Sequence, residues 1–174
     1  MLTQQSDFEL IAQALEGQQK AFKELYDRYV DNLYQFLAQF GNSDDQNEEW
    51  TQRAFIKAFH KLHSFKQKSS FKTWLFTIAV NEMRTDMRKS FHFEDIDQTQ
   101  LPHFEEEEIT TTEMWANAKQ ALRALSPRKR MICLLHIAEG YSHQEIGEML
   151  GISEVASRTT LFRAKKDLRQ SLML

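Results

Sequence analysis

Between residues 20 and 40 the apolar side chains fall at steps of three and four: Phe22, Leu25, Tyr26, Tyr29, Leu33, Phe36, Leu37 and Phe40, with Gly41 just beyond. That spacing gathers every apolar group on one stripe of an α-helix, whereas a strand would split the set between its two faces. Only five glycines and two prolines in 174 residues leave few places for tight turns. A helical protein follows.

Other stretches repeat the pattern. Phe8, Ile11, Ala12 and Leu15 mark a short first helix that stops near Gly17. Ser43, Asp44 and Asp45 are cap candidates for a third helix over about 46–62, with an apolar face of Trp50, Ala54, Phe55, Ala58 and Phe59. Ser69 or Ser70 caps a fourth that runs to about residue 89, and these helices form one bundle. Periodicity then fails over 91–111, where Pro102 and the like-charged Glu105, Glu106, Glu107 and Glu108 predict a solvated linker.

Beyond it, Thr111 or Thr112 caps a helix to about residue 125, and Ser126-Pro127 reads as a capping hydroxyl followed by proline at the first helical position. That helix carries Met131, Ile132, Leu134 and Leu135 and ends at Gly140. Ser142 and Glu145 have capping-box spacing, Gly151 ends the helix they open, and Ser153 caps a last one to about residue 168.

The net charge of −3 conceals segregation. Residues 1–52 hold ten acids and three bases, and residues 53–90 nine bases and two acids. Residues 91–112 hold seven acids and no Lys or Arg, and residues 113–174 ten bases against six acids. Two basic modules are therefore joined by an acidic tether, and a local patch is what meets phosphate.

Several classes are disfavoured. No apolar run reaches the roughly eighteen residues of a membrane span, and MLTQQSDFEL lacks the form of a signal peptide, so a cytoplasmic protein is expected. The single Cys133 lies in the apolar run MICLLHIA and reads as core; His60 and His63 lack a third ligand, so no metal is expected. No nucleophile and base, glycine-rich phosphate loop or carboxylate pair suggests an enzyme or a cofactor.

Two segments point to nucleic acid. In SFKQKSSFKTWLFTIAVNEMRTDMRK, residues 64–89, the rings of Phe65, Phe71 and Trp74 alternate with Lys66, Lys68 and Lys72. Unstacked bases stack on such rings while lysines neutralise the intervening phosphates. The same segment also reads as a core stripe of Phe71, Trp74, Leu75, Ile78 and Ala79 with a solvated basic back, and taken alone it leaves both readings open.

Residues 142–168 read as helix, tight turn, helix, with Gly151 at the turn and Gly147 where close approach is needed. Ile146, Leu150, Ile152, Leu161, Ala164 and Leu168 fill the shared core, while Arg158, Thr159, Phe162, Arg163 and Lys166 form the opposite face of the last helix, suited to a DNA major groove. An ordinary helical hairpin with a wet basic face is the alternative. Ser157, where such motifs usually carry Val or Ile, predicts looser packing.

With both modules read, the chain resembles an extracytoplasmic-function sigma factor of bacterial RNA polymerase, a member of the sigma-70 family. AFKELYDRY, EWTQRAF.KAF, SFKTWLFTIAVN, LSPRKRMICLL, YSHQEIGEMLGIS and LFRAKKDLR occur in the family's order and spacing. The resemblance implies an all-α chain of two small domains: region 2 over 1–90 and region 4, with the helix-turn-helix, over 113–174, joined by a flexible acidic linker over 91–112.

It further implies that the helix over 49–59 docks on the clamp helices of the polymerase β′ subunit through Glu49, Gln52, Arg53, Phe55 and Lys57, although Arg53 stands where an acid is usual and Trp50 where Leu is common. The promoter-melting loop falls on 65–70, so that Phe65, Lys66, Lys68 and Ser69, with Phe71, Lys72, Trp74, Asn81 and Arg84 on the following helix, would capture a flipped base and the strand of the minus-ten element. Arg158, Thr159, Phe162, Arg163 and Lys166 would read the duplex minus-thirty-five element while the domain rests on the polymerase β flap. Ala156, Ser157 and Thr160 depart from the family's frequent Thr, Val and Arg.

The acidic linker would thread through the polymerase near its active centre, its carboxylates mimicking RNA phosphates. Partners are then core RNA polymerase, promoter DNA both duplex and melted, and an anti-sigma protein. Two rivals are a free-standing helix-turn-helix regulator, which leaves the ring-and-lysine segment unexplained, and a polymerase-binding module that reads no DNA.

Overall fold

The computed structural model describes residues 5–90 and 120–172, which are helical with no strand among them. The chain divides into two compact units, Met1–Phe93 and Glu94–Leu174. The acidic linker over 91–112 and the cap candidates Thr111 and Thr112 lie outside the described residues.

In the first unit, helix α1 (Asp7–Leu15) opens with a capping box in which the Ser6 hydroxyl accepts from the Glu9 N–H and the Glu9 carboxylate accepts from the Ser6 N–H. The sequence predicts that Phe8, Ala12 and Leu15 face inward with Ile11. Instead Leu10 and Ile11 are buried, and Phe8 and Leu15 are 63% and 51% exposed. The rotation follows from Asp7, whose carboxylate is held by Arg28 and Tyr29 of the next helix and turns α1 toward them.

Helix α2 (Gln19–Leu37) buries Ala21, Leu25, Leu33, Phe36 and Leu37 on the stripe that the spacing dictates. Helix α3 (Asp44–Lys61) starts at Ser43, whose hydroxyl accepts from the Gln46 N–H at 3.2 Å. Its Trp50, Ala54, Phe55 and Ala58 are buried, but Phe59, expected on that face, is 49% exposed, with edge contacts to Phe22 at 4.6 Å and to His60 at 6.1 Å between centroids. A 3-10 turn (Leu62–Ser64) and a loop lead to helix α4 (Phe71–Ser90), capped by Ser70, which accepts from the Thr73 N–H at 3.1 Å.

Burial of Phe71, Leu75, Phe76, Ala79, Val80 and Met83 fixes the inner face of α4. Each of these side chains larger than Ala79 is worth about 1.5–3 kcal/mol when removed from water, so this stripe determines which residues face outward. The Trp50 indole N–H donates to Asp86 at 3.0 Å and pins α3 to α4.

In the second unit, a helical stretch over 120–124 precedes helix α5 (Pro127–Cys133). Ser126 precedes the proline, yet its hydroxyl makes no capping bond; its carbonyl accepts from the Arg130 N–H at 3.0 Å. Pro127 supplies the preset φ of a helix start without help from the side chain.

The helix then widens into a π turn (Leu134–Ala138) that ends at Gly140, which has φ of 77°. Helix α6 (His143–Leu150) carries the expected capping box of Ser142 and Glu145, and Gly151 closes it in the left-handed conformation at φ 68°. Helix α7 (Glu154–Leu172) starts at Ser153, whose hydroxyl accepts from the Ala156 N–H at 3.1 Å.

Candidate nucleic-acid and polymerase interfaces

The loop over 65–70 and the first turn of α4 bring three rings together. Phe65 lies 4.9 Å from Trp74 between centroids at an angle of 37°, and Phe71 lies 6.2 Å from Phe65 and 5.9 Å from Trp74. Phe71 is 2% exposed, so it belongs to the core and serves as the floor. Phe65 and Trp74 are only partly covered and leave ring surface to solvent. The core reading holds for Phe71, Leu75 and Ala79, which are buried, while Trp74 and Ile78, expected on the same stripe, are only half-buried.

Around the rings of Phe65 and Trp74, Lys66, Lys68 and Ser69 are exposed, and the Lys72 ammonium sits 5.4 Å from the Phe76 ring centroid. Between the two loop lysines Gln67 holds φ at 54°, the left-handed region that a side chain with Cβ enters at a cost of about 1 kcal/mol or more.

Along α4, Trp74, Asn81, Arg84 and Arg88 follow at steps of seven, three and four and so share the outward stripe. Asn81 and Arg88 are exposed and Arg84 half-buried; burial, with Arg88 second, lowers the Arg84 pKa, so an anionic partner would relieve its environment. The acids of α4 are turned away from that stripe. Glu82 pairs with Lys57, and Asp86 accepts from Trp50 and lies 3.8 Å from Arg53, all on α3.

On α3 the residues expected at polymerase divide in three. Glu49 and Gln52 are exposed, while Arg53 and Lys57 are tied to Glu49 and Glu82 respectively. Phe55 is 3% exposed, with its ring 4.6 Å from Tyr26, so it supports the helix from beneath. Sequence reasoning missed Ile56, which is 56% exposed, and took Phe59 for core; with Gln52 they stand at steps of four and three on one outward line. That spacing was the available signal. An apolar stripe displaced from the bundle's own reads as an interface.

In the second unit, α7 turns Val155, Thr159, Phe162, Lys166 and Arg169 along one line, and Ser157, Leu161 and Ala164 inward. Val155 and Phe162 are 49% and 39% exposed, Arg163 and Lys166 are exposed, and Thr159 is nearly covered, with its hydroxyl donating to the Val155 carbonyl at 2.9 Å. Val155 was not foreseen; an apolar group at the head of such a helix suits a thymine methyl. Arg158 donates from Nε and Nη2 to Glu154 at 3.1 and 2.6 Å, but an exposed pair of this kind holds by only about 0.3–0.5 kcal/mol, so phosphate can displace it.

Ser157 departs from the expectation of loose packing. It is fully buried, and its hydroxyl lies 2.8 Å from His143 Nδ1, so a hydrogen bond between α7 and α6 stands in for the aliphatic contact. His143 stacks on His136 at 4.3 Å, and His136 Nδ1 lies 2.8 Å from the Tyr141 carbonyl. Burial first, then His136 and the cations Arg158 and Lys165, lower the His143 pKa to about 4 against a smaller opposing effect of Glu154. His143 is neutral near pH 7. Cys133 is buried and its thiol pushed up to about 11, consistent with a core residue.

Among the described residues no group of His, Cys, Asp and Glu could hold a metal ion, and no helix is long and apolar enough to cross a membrane.

Comparison with known proteins places both modules. Residues 25–90 match the family model for Sigma-70 region 2, and residues 116–168 that for Sigma-70, region 4. The ECF RNA polymerase sigma factor SigX of Bacillus subtilis is 31% identical over 169 residues, covering 90% of this chain and 86% of the relative. Among solved structures, CnrH in complex with the cytosolic domain of CnrY shares 27% identity with a TM-score of 0.69, covering 95% of this chain and 96% of that one. RpoE in complex with the anti-sigma factor NepR from Bartonella quintana shares 25% identity with a TM-score of 0.68, over 89% of this chain and 98% of that one.

Proposed function

The chain belongs to the extracytoplasmic-function group of the sigma-70 family, and from that membership we infer how its two modules direct transcription initiation. It is a sigma factor: it binds core RNA polymerase, recognises promoter DNA through regions 2 and 4, and aids opening of the duplex. It works through binding energy and has no catalytic step of its own. Acting with polymerase, it operates in the cytoplasm.

At residue level, the platform of Phe65 and Trp74 takes an unstacked base of the minus-ten element, with Lys66, Lys68, Ser69 and Lys72 at the adjoining phosphates and Asn81 and Arg84 along the strand. Phe71 holds the platform from below. Stacking on such a surface is worth about 1–3 kcal/mol per base, comparable with the few kcal/mol that unstacking costs. Capturing the base therefore turns a transient opening into a stable one.

The outward face of α7 enters the major groove of the minus-thirty-five element, with Arg158, Arg163 and Lys166 at phosphates and base edges and Phe162 between them; Thr159, expected among them, is 8% exposed with its hydroxyl held by the Val155 carbonyl and does not join them. Glu49, Gln52, Arg53 and Lys57, with Ile56 and Phe59 beside them and Phe55 beneath, form the surface of α3 for the polymerase β′ clamp helices, while region 4 rests on the β flap. A further partner is an anti-sigma protein, by analogy with the complexes that contain CnrH and RpoE.

The observation that carries this reading is the half-buried ring platform of Phe65 and Trp74 with Lys66, Lys68 and Lys72 beside it, which a regulator of duplex DNA alone has no use for. Run-off transcription with bacterial core polymerase on a library of genomic fragments tests it. Transcripts sharing two upstream elements are expected. Polymerase binding without promoter-dependent transcripts would favour a bare interaction module, and no polymerase binding a free-standing regulator.

A further inference from the structure

A chain of contacts runs from the start of α1 to the ring platform. Both oxygens of Asp7 are engaged: Oδ1 accepts from Arg28 Nη1 at 2.5 Å, and Oδ2 accepts from the Tyr29 hydroxyl. Arg28 also reaches the Gln5 carbonyl at 2.9 Å and Glu24 at 3.1 Å, so the carboxylate is itself held in place. The Tyr29 ring then packs on Phe71 at 5.6 Å and 49°, and Phe71 is the floor under Phe65 and Trp74.

We propose that Tyr29, oriented by Asp7 of α1, is a positioning residue for the base-stacking platform, which makes α1 part of the melting apparatus. This rests on the reading of Phe65 and Trp74 as the site of base capture.

The geometry favours a positioning role over general packing for two reasons. Asp7 lies outside the residues 25–90 that match the region 2 model, so this contact ties the platform to a helix of the same unit that precedes the matched residues. In addition, the platform rings are only partly covered, and both lie against Phe71, 6.2 Å from Phe65 and 5.9 Å from Trp74 between centroids, so a shift of Phe71 reaches both. Burial, followed by the Asp7 carboxylate, raises the Tyr29 pKa, so the phenol remains a protonated donor across the working range of pH. A ring anchored at both ends of its long axis leaves Phe71 little freedom to rotate.

The test uses holoenzyme assembled with core polymerase and a fluorescein-labelled single strand carrying the minus-ten element of a promoter found by run-off transcription. Tyr29→Phe keeps the ring and removes the hydroxyl; Asp7→Ala removes its acceptor. Each should weaken strand binding about fivefold, as expected for one lost hydrogen bond, while affinity for core polymerase stays within about twofold. Combined with Trp74→Ala, Tyr29→Phe should add nothing, because its effect passes through the platform.

Wild-type strand affinity in Tyr29→Phe, an equal loss of core polymerase affinity, or a full additional loss in the Trp74→Ala background would each overturn the proposal. Unchanged strand binding in Trp74→Ala alone would instead overturn the base-capture reading on which it stands.

Discussion

Gly147 lies where a single carbon matters. A Cβ there would come within 2.8 Å of the Ile152 carbonyl oxygen, a backbone atom of the turn that cannot swing aside, and the Ile152 N–H donates to the Gly147 carbonyl at 3.0 Å. In an open helix Gly→Ala would gain about 1 kcal/mol, but forced displacement of a packed turn costs more, so Gly147→Ala should destabilise the second unit by about 1–3 kcal/mol net. Urea unfolding checks this, and an increase in stability would refute the close approach. Ser157 makes a parallel case, since its hydroxyl meets His143 across the motif. Ser157→Ala and His143→Ala should each cost about 1–2 kcal/mol, and the double variant should fall short of their sum by at least about 0.5 kcal/mol. Strict additivity would mean that the bond contributes nothing.

The helix-turn-helix also carries a pH dependence of its own. Among the groups around His143 are the stacked His136, Ser157, Arg158, Lys165 and Glu154, and only the last favours a charge on the ring. The folded pKa near 4 lies below the ordinary 6.5, so between those values the unfolded chain binds more protons than the folded one. Stability from the neutral ring is therefore complete above about pH 6.5 and lost as pH falls through 4. Melting curves of wild type and His143→Gln at pH 7.5 and 5 should converge at the lower pH; parallel curves would contradict the shift. Elements like α6 were legible in the sequence because a cap is a local device: Ser43, Ser70, the Ser142–Glu145 box and Ser153 each act within three residues of themselves. The rotation of α1 and the role of Ser157 were not legible, because Asp7 finds Tyr29 after 22 residues and Ser157 finds His143 after 14. The stacking of His136 on His143, across the turn between the π segment and α6, was likewise not legible in local spacing.

At the scale of the whole chain, the two surfaces proposed to meet DNA would differ in the physics that holds the ligand, and salt would separate them. On the function proposed above, the α7 surface relies on cations at phosphate, so each contact would release counterions and contribute about 0.9 to the slope of log affinity against log salt on duplex DNA. On the same proposal, stacking of the platform rings on a base releases no ions, and any ion release at that site comes from the neighbouring Lys66, Lys68 and Lys72. In holoenzyme bound to a promoter with both elements, Arg158→Ala combined with Arg163→Ala should therefore lower affinity most at low salt and reduce the slope by about 1.8, with dependence on the minus-thirty-five element abolished. Trp74→Ala should weaken open-complex formation by about tenfold at every salt concentration and leave the slope unchanged, since it removes roughly 1–3 kcal/mol of stacking without touching a charge. Arg158 loses its Glu154 pair on reaching DNA, but that exposed pair is too weak to mask the effect. Filter binding across a salt series, scored beside permanganate reactivity of the opened strand, reads both quantities from one set of samples. Equal slopes in wild type and the arginine double variant would place those cations off the phosphates, and a slope that falls in Trp74→Ala would mean that the platform organises lysines instead of stacking a base.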